Sequence, residues 1–270
     1  MSEYYYYGLS AMIYITTCWV YAVIRWFHTC NVPKERCAYI LVYNNILFSR
    51  YKVYLQARQL VALCYVVFAI GFLLHAHFEW RTSWPAAASA LSVSYFHIGG
   101  VLFGWSHTSL MRPDYLTRRV IARDLIILII GLAAYWTAAA ARLSICNLQF
   151  SIFFAHASMI VYTFYRTYFQ MRRNVMLMPT DGNSPHWWTP EVKRTVLNGH
   201  HSFMISCYLI VIFGIGSIVV TAAFPHQTAP YTVLLCMGVA VYCYIFYSLA
   251  AYGNVIDAAT WAIENVYDTE

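Results

Sequence analysis

Two histidines stand deep inside apolar runs, His97 in SYFHIGGVLFGWSHTSL (94–110) and His156 in a second run over 146–170. Counted from the ends of those runs, each imidazole lies roughly 15–18 Å along a helix rising ~1.5 Å per residue, near the midplane of a bilayer. Ionisable side chains at that depth carry a functional reading by default. Three chemistries fit a pair of imidazoles at matched depth. They can hold a haem b iron from both sides, hold a ligand or a proton as a switch, or hydrogen-bond to Ser94, Ser158 or a tyrosine. Tyr95 and Tyr162 accompany the pair. With Tyr135, Tyr242 and Tyr244 they would wall a semi-polar cavity suited to a small amphipathic ligand. His107, in the same run as His97, poses the same question.

The stretch FLLHAHFEW sets His75 and Glu79 one helical turn apart. Such a pair can form the edge of a metal site, with His226 as a further ligand. The favoured reading is plainer: an exposed helix end, with Trp80 and Trp84 in an interfacial aromatic belt.

Several chemistries lack their residues. Lys34, Lys52 and Lys193 all fall in basic segments between apolar runs, so no Schiff-base lysine serves a retinal-type pigment. Glu79, Asp124 and Asp257 read as lying near helix ends, which leaves no carboxylate at mid-membrane for an ion relay. HExxH, GxSxG and Walker patterns are missing, so no catalytic residue is expected. The eight cysteines form no CxxC pair and mostly sit in apolar runs, where they behave as small hydrophobes.

The elements that must position these groups follow from composition. The 270 residues are 61% hydrophobic and 10% charged, whereas a soluble domain carries about a quarter charged residues. Seven apolar stretches are long enough to span about 30 Å of hydrocarbon, near 5–26, 59–79, 85–111, 121–142, 146–170, 200–223 and 231–253. The chain is therefore expected to be an all-α, seven-helix transmembrane bundle over residues 1–254. Gly100 and Gly104 have the small-xxx-small spacing of close helix contacts.

Charge orients the bundle. Of 17 lysines and arginines, all but Arg81 and Arg142 fall in the three segments on one side. The positive-inside rule makes that side cytoplasmic, with the N-terminus outside and the C-terminus inside. Residues 255–270 then form a short acidic cytoplasmic tail, amphipathic if helical, in which Asp257, Trp261 and Glu264 are the candidate output residues.

The stretch LFGWSHTSLMRPDYLTRRVIARDL (102–125) resembles the membrane-embedded input regions of AraC-type helix-turn-helix regulators of Bacteroidetes bacteria. The likeness lies in a Phe-small-x-Ser helix end followed by a polar turn with Pro, Tyr and paired Arg. YFQMRRN (168–174) and TPEVKRTVLNGHHSF (189–203) are similar to the linker of that family. The resemblance covers most of residues 40–254 and carries no ligand-binding residue with it. It implies a cytoplasmic DNA-binding domain, for which this sequence, ending at Glu270, has no counterpart.

The leading expectation is a non-enzymatic sensor in a bacterial inner membrane. It would detect a small ligand, pH or membrane state and signal through its seventh helix to a cytoplasmic regulatory protein or a missing output domain. A homodimer is open, and direct nucleic-acid binding by this chain is not expected. The alternatives are a redox protein with haem b between His97 and His156 and, more weakly, a transporter or lipid-handling protein.

Overall fold

Wherever the sequence stays apolar for twenty residues, the chain is helical. The computed structural model describes residues 3–27, 45–143, 147–180, 188–224, 227 and 229–253. Seven long helices run through them: α1 (Glu3–Phe27), α2 (Asn45–Phe78), α3 (Pro85–Met111), α4 (Arg118–Ala140), α5 (Asn147–Leu177), α6 (Pro190–Ala223) and α7 (Ala229–Gly253). One helical turn, Trp80–Ser83, links α2 to α3. Among the described residues there is no strand. The acidic tail with Asp257, Trp261 and Glu264, and also His226, lies outside the described residues.

Several helices outrun their apolar cores. α2 begins at Asn45 where hydropathy predicts residue 59, α5 runs to Leu177, and α6 begins at Pro190 instead of residue 200. The physical reason is that hydropathy marks only the part of a helix that lipid would touch. The basic segments beyond it are rich in Arg, Lys, Leu and Gln, which are good helix formers in water. Capping then sets the true starts. Thr189 accepts a hydrogen bond from the Val192 amide with Pro190 at the first helical position, and Thr117 accepts one from the Val120 amide to open α4. Both are the orphan-donor solution expected at helix N-termini.

All of these helices except α5 are long and apolar enough to cross a membrane. α5 dilutes its apolar run with His156, Gln149, Gln170, Arg166, Arg172 and Arg173. Sequential neighbours pack together from α1 to α7, and α7 closes back on α1. α3 also packs against α5 and α6, which puts it inside the ring. Its apolar window is 78% buried, against 22% for α4. α4 turns Leu125, Ile126, Ile129 and Ile130 outward, the face a lipid-exposed helix presents. The chain is thus an all-helical bundle built to associate with a lipid bilayer.

The interior is aromatic. Tyr14 and Tyr242 join α1 to α7 through a hydroxyl–hydroxyl contact of 3.0 Å, and Phe68, Phe72, Tyr95, Phe96 and Phe213 pack around them. Gly104 earns its place by contact: a Cβ there would collide with Ile160 of α5. Gly100, its small-xxx-small partner, faces open space.

Candidate functional site

α4 places Asp124, Gly131 and Tyr135 at steps of seven and four, so all three share one helical face. That face meets α3 and α5. At Gly131 the missing side chain admits the His97 ring: a Cβ there would lie 3.0 Å from His97 Cε1 and 3.1 Å from Tyr135 Oη. From α5, the buried stripe Phe153, His156, Ile160 and Phe164 repeats every three or four residues, and delivers His156 to the same place.

The result is a buried polar chain. Tyr135 Oη lies 3.0 Å from His97 Nδ1, and His97 Nε2 lies 2.8 Å from His156 Nδ1. His156 Nε2 lies 3.5 Å from Asp124 Oδ1. Asp124 then accepts from Trp105 Nε1 at 2.7 Å and from Arg123 Nε at 2.8 Å. Tyr135, His97, His156 and Asp124 are each at most 2% exposed, while the Arg123 side chain is 41% exposed at the arginine-rich end. Beside it Tyr115, in the turn before α4, is held above its ordinary pKa range by burial and by the Asp124 carboxylate.

Donor and acceptor inventory fixes the direction of this chain. Asp124, paired with an arginine, is acceptor only, so His156 must present Nε2–H to it. A neutral His156 then offers a bare Nδ1, which requires Nε2–H on His97, and the bare Nδ1 of His97 accepts from the Tyr135 hydroxyl. Every donor points towards Asp124. Adding one proton at His156 Nδ1 reverses the sequence: His156 donates to His97 Nε2, His97 donates from Nδ1 to the tyrosine oxygen, and the Tyr135 proton must find another acceptor. One proton therefore separates two hydrogen-bonded arrangements of Tyr135, His97 and His156. The chain's contact with Asp124 is one of charge and proximity only: at 3.5 Å from Asp124 Oδ1, His156 Nε2 makes no hydrogen bond.

An apolar groove of about 210 Å³ opens beside the chain between α3, α5 and α6. His97 contributes to its wall, with Gly100, Phe103, Phe153 and Gly214. The histidine is thus shared between the polar chain and a cavity that reaches the bundle surface.

A haem iron would have to part this pair. Iron held between two imidazoles at about 2 Å per bond separates their nitrogens by about 4 Å, whereas these nitrogens bond to each other at 2.8 Å.

The expected site residues fare differently. His97 and His156 meet as expected. Tyr95 is buried, but positions 95 and 97 lie about 200° apart around a helix, and Tyr95 packs on Phe72 and His75 instead. Tyr162 is a correction: it is 66% exposed, because it falls off the buried stripe of α5 and turns outward. Tyr242 belongs to the aromatic interior. His75 and Glu79 do not converge. α2 ends at Phe78, Glu79 takes a left-handed conformation with φ 49°, and it is exposed while His75 is 3% exposed and bonded to Ser92 at 3.0 Å. The exposed-end reading therefore holds for Glu79 and not for His75. Among the described residues, no three His, Cys, Asp or Glu side chains group to hold a metal. His107 is a packing residue: it stacks on Phe103 at 4.0 Å, and its Nδ1–H donates to the Phe103 carbonyl at 3.2 Å.

Asp124 is the residue whose burial the sequence reading misses. It does lie near a helix end, in the second turn of α4, but as a fully buried carboxylate 3.5 Å from His156 and not at an exposed surface. The available signal was the Asp124/Gly131/Tyr135 spacing in an otherwise apolar helix. Compared with known proteins, the chain matches no family model, no curated sequence and no solved structure.

Proposed function

We propose that this chain is a membrane-embedded signal-input module whose switch is the Tyr135–His97–His156–Asp124 chain. The observation that carries the reading is the unbroken contact of four buried side chains from three helices, in which one added proton would reverse the two hydrogen bonds joining Tyr135, His97 and His156 and leave the His156–Asp124 contact as it is. Such a pair of arrangements is the bistable element that a sensor needs, and any input that favours one of them shifts the population. Two inputs fit it: a proton entering at the Tyr135 end, where Tyr135 gives its own to His97 Nδ1 and His97 gives its Nε2 proton to His156 Nδ1, and an apolar molecule in the groove against His97.

The route to the output runs along α3. Tyr252, in the last turn of α7, donates to the Leu110 carbonyl near the end of α3 at 3.4 Å, and packs on Phe203 at 4.6 Å. Movement of α3 is felt there first. The charge asymmetry supports a cytoplasmic position for that end, with the N-terminus outside. The resemblance to AraC-type input regions supports a cytoplasmic regulatory partner or output domain that receives the signal.

The test is a distance measurement between spin labels, carried on unnatural amino acids at Leu116 and Ala251, in lipid nanodiscs. The reading predicts two distance populations whose ratio changes on acidification and is frozen in His156→Phe. One unchanging distribution, the same in that variant, contradicts it.

A further inference from the structure

A second polar cluster lies at the end opposite the arginine-rich one, built by α1, α7 and the turn between α2 and α3. Arg81, in that turn, donates from Nε to the Tyr7 hydroxyl of α1 at 3.3 Å. Its guanidinium carbon sits 3.5 Å from the ring centre of Tyr231 of α7, the geometry of a cation–π contact. The Tyr231 hydroxyl is buried with no hydrogen-bond partner among the described residues, and so is Trp84 Nε1 of the same turn, whose ring lies beside Trp80. Tyr231 is 2% exposed.

The same turn opens α3 without a side-chain cap, with Trp84 at the cap position and Pro85 as the first helical residue. The Ala86 and Ala87 amides, in the first turn of a 27-residue helix, thus gain no partner from a capping side chain. His75 is not among the donors. Ser92 gives its own proton to the Ala88 carbonyl at 2.9 Å, so it accepts from His75 Nε2, and His75 Nδ1 is left with a lone pair.

A guanidinium, a buried phenol and an indole N–H without acceptors, and an uncapped helix start share one deficit, which is negative oxygen. Leaving a buried donor unsatisfied is costly, and natural structures rarely do so without a reason. We infer that this cluster is a binding site for a small oxyanion, the carboxylate of an organic acid or the phosphate of a lipid headgroup. It lies apart from the His97–His156 chain. It extends the sensor reading by naming a chemical class of signal, and rests on that reading only for the word signal; the binding stands on its own residues.

The experiment is saturation-transfer NMR of acetate methyl protons with the full chain in dodecyl maltoside, which carries no anionic group. The inference predicts a transfer signal that inorganic phosphate competes away. It falls at least fivefold in Arg81→Gln and in Tyr231→Phe, and persists in His97→Phe, so loss of the relay and loss of this site are told apart. Tyr231→Phe keeps the ring under Arg81 and removes only the unpartnered hydroxyl, so its melting temperature should equal that of the wild type or exceed it. Repeating the titration in nanodiscs with phosphatidylglycerol separates the sources. A suppressed acetate signal there assigns the site to a lipid phosphate, and an unchanged one to a free carboxylate. No transfer signal from the wild-type chain, or one equal in all variants, overturns the site.

Discussion

His97 Nε2 and His156 Nδ1 face each other at 2.8 Å between α3 and α5, and what lies at the two ends of the pair decides which of them holds the proton. Asp124 at one end can only accept. Tyr135 at the other can do either. The hydrogen bond therefore has a direction, and reversing it takes a single proton.

Gly131→Ala tests the packing that lets His97 enter. The new methyl would lie 3.0 Å from the imidazole, which must retreat from Tyr135 or push α4 away. Overpacking of this kind destabilises by about 1–3 kcal/mol. Chemical denaturation in detergent micelles should show that loss, and an unchanged midpoint would mean that the ring yields freely.

Asp124→Asn keeps the shape and removes the fixed acceptor. An amide has one carbonyl oxygen to share between Trp105, Arg123 and His156, so a buried donor is left without a partner at about 1–3 kcal/mol. Much of the Arg123 contribution is screened, since its side chain is 41% exposed. The expected signature is a mixture of His156 tautomers in nitrogen-15 histidine spectra, together with a lower melting temperature. A single sharp tautomer identical to that of the wild type would remove Asp124 from its directing role.

How much of this was legible beforehand depends on the residue. The seven helices follow from run length, and His97 and His156, read at matched positions along theirs, meet between α3 and α5. The burial of Asp124 does not follow, because hydropathy starts α4 near residue 121, whereas the Thr117 cap starts it at Arg118 and sets the acid further in. Nor does the outward turn of Tyr162 or the burial of His75. α3 is buried nearly all round, so its sequence shows little contrast between faces, and which face of α5 meets it is decided by the bundle.

Tyrosine substitutions should divide along that line. Tyr162→Phe alters an outward hydroxyl and should change stability by under about 0.5 kcal/mol. Tyr135→Phe strips His97 Nδ1 of its buried partner, for about 1–3 kcal/mol. Equal melting temperatures for the two variants would place Tyr135 outside the polar chain.

The two glycines of the α3 spacing should also part company. Gly104→Ala meets Ile160 and should destabilise by about 1–3 kcal/mol. Gly100→Ala points into the open groove, and should stabilise by about 0.4–1 kcal/mol through reduced unfolded-state freedom. Thermal melts of the two variants side by side decide it; equal losses at both would mean that the groove is closed in the membrane.

The most direct measurement is the tautomeric state of His97 and His156 by nitrogen-15 NMR of the histidine-labelled protein in lipid bilayers at neutral pH, assigned with His97→Phe and His156→Phe. The switch requires both rings to be neutral and protonated at Nε2, with both Nδ1 atoms accepting hydrogen bonds. It also requires a concerted change, on acidification, to a charged His156 and an Nδ1-protonated His97. A ring already protonated at Nδ1 at neutral pH, or two histidines that titrate independently, would contradict the account at its centre.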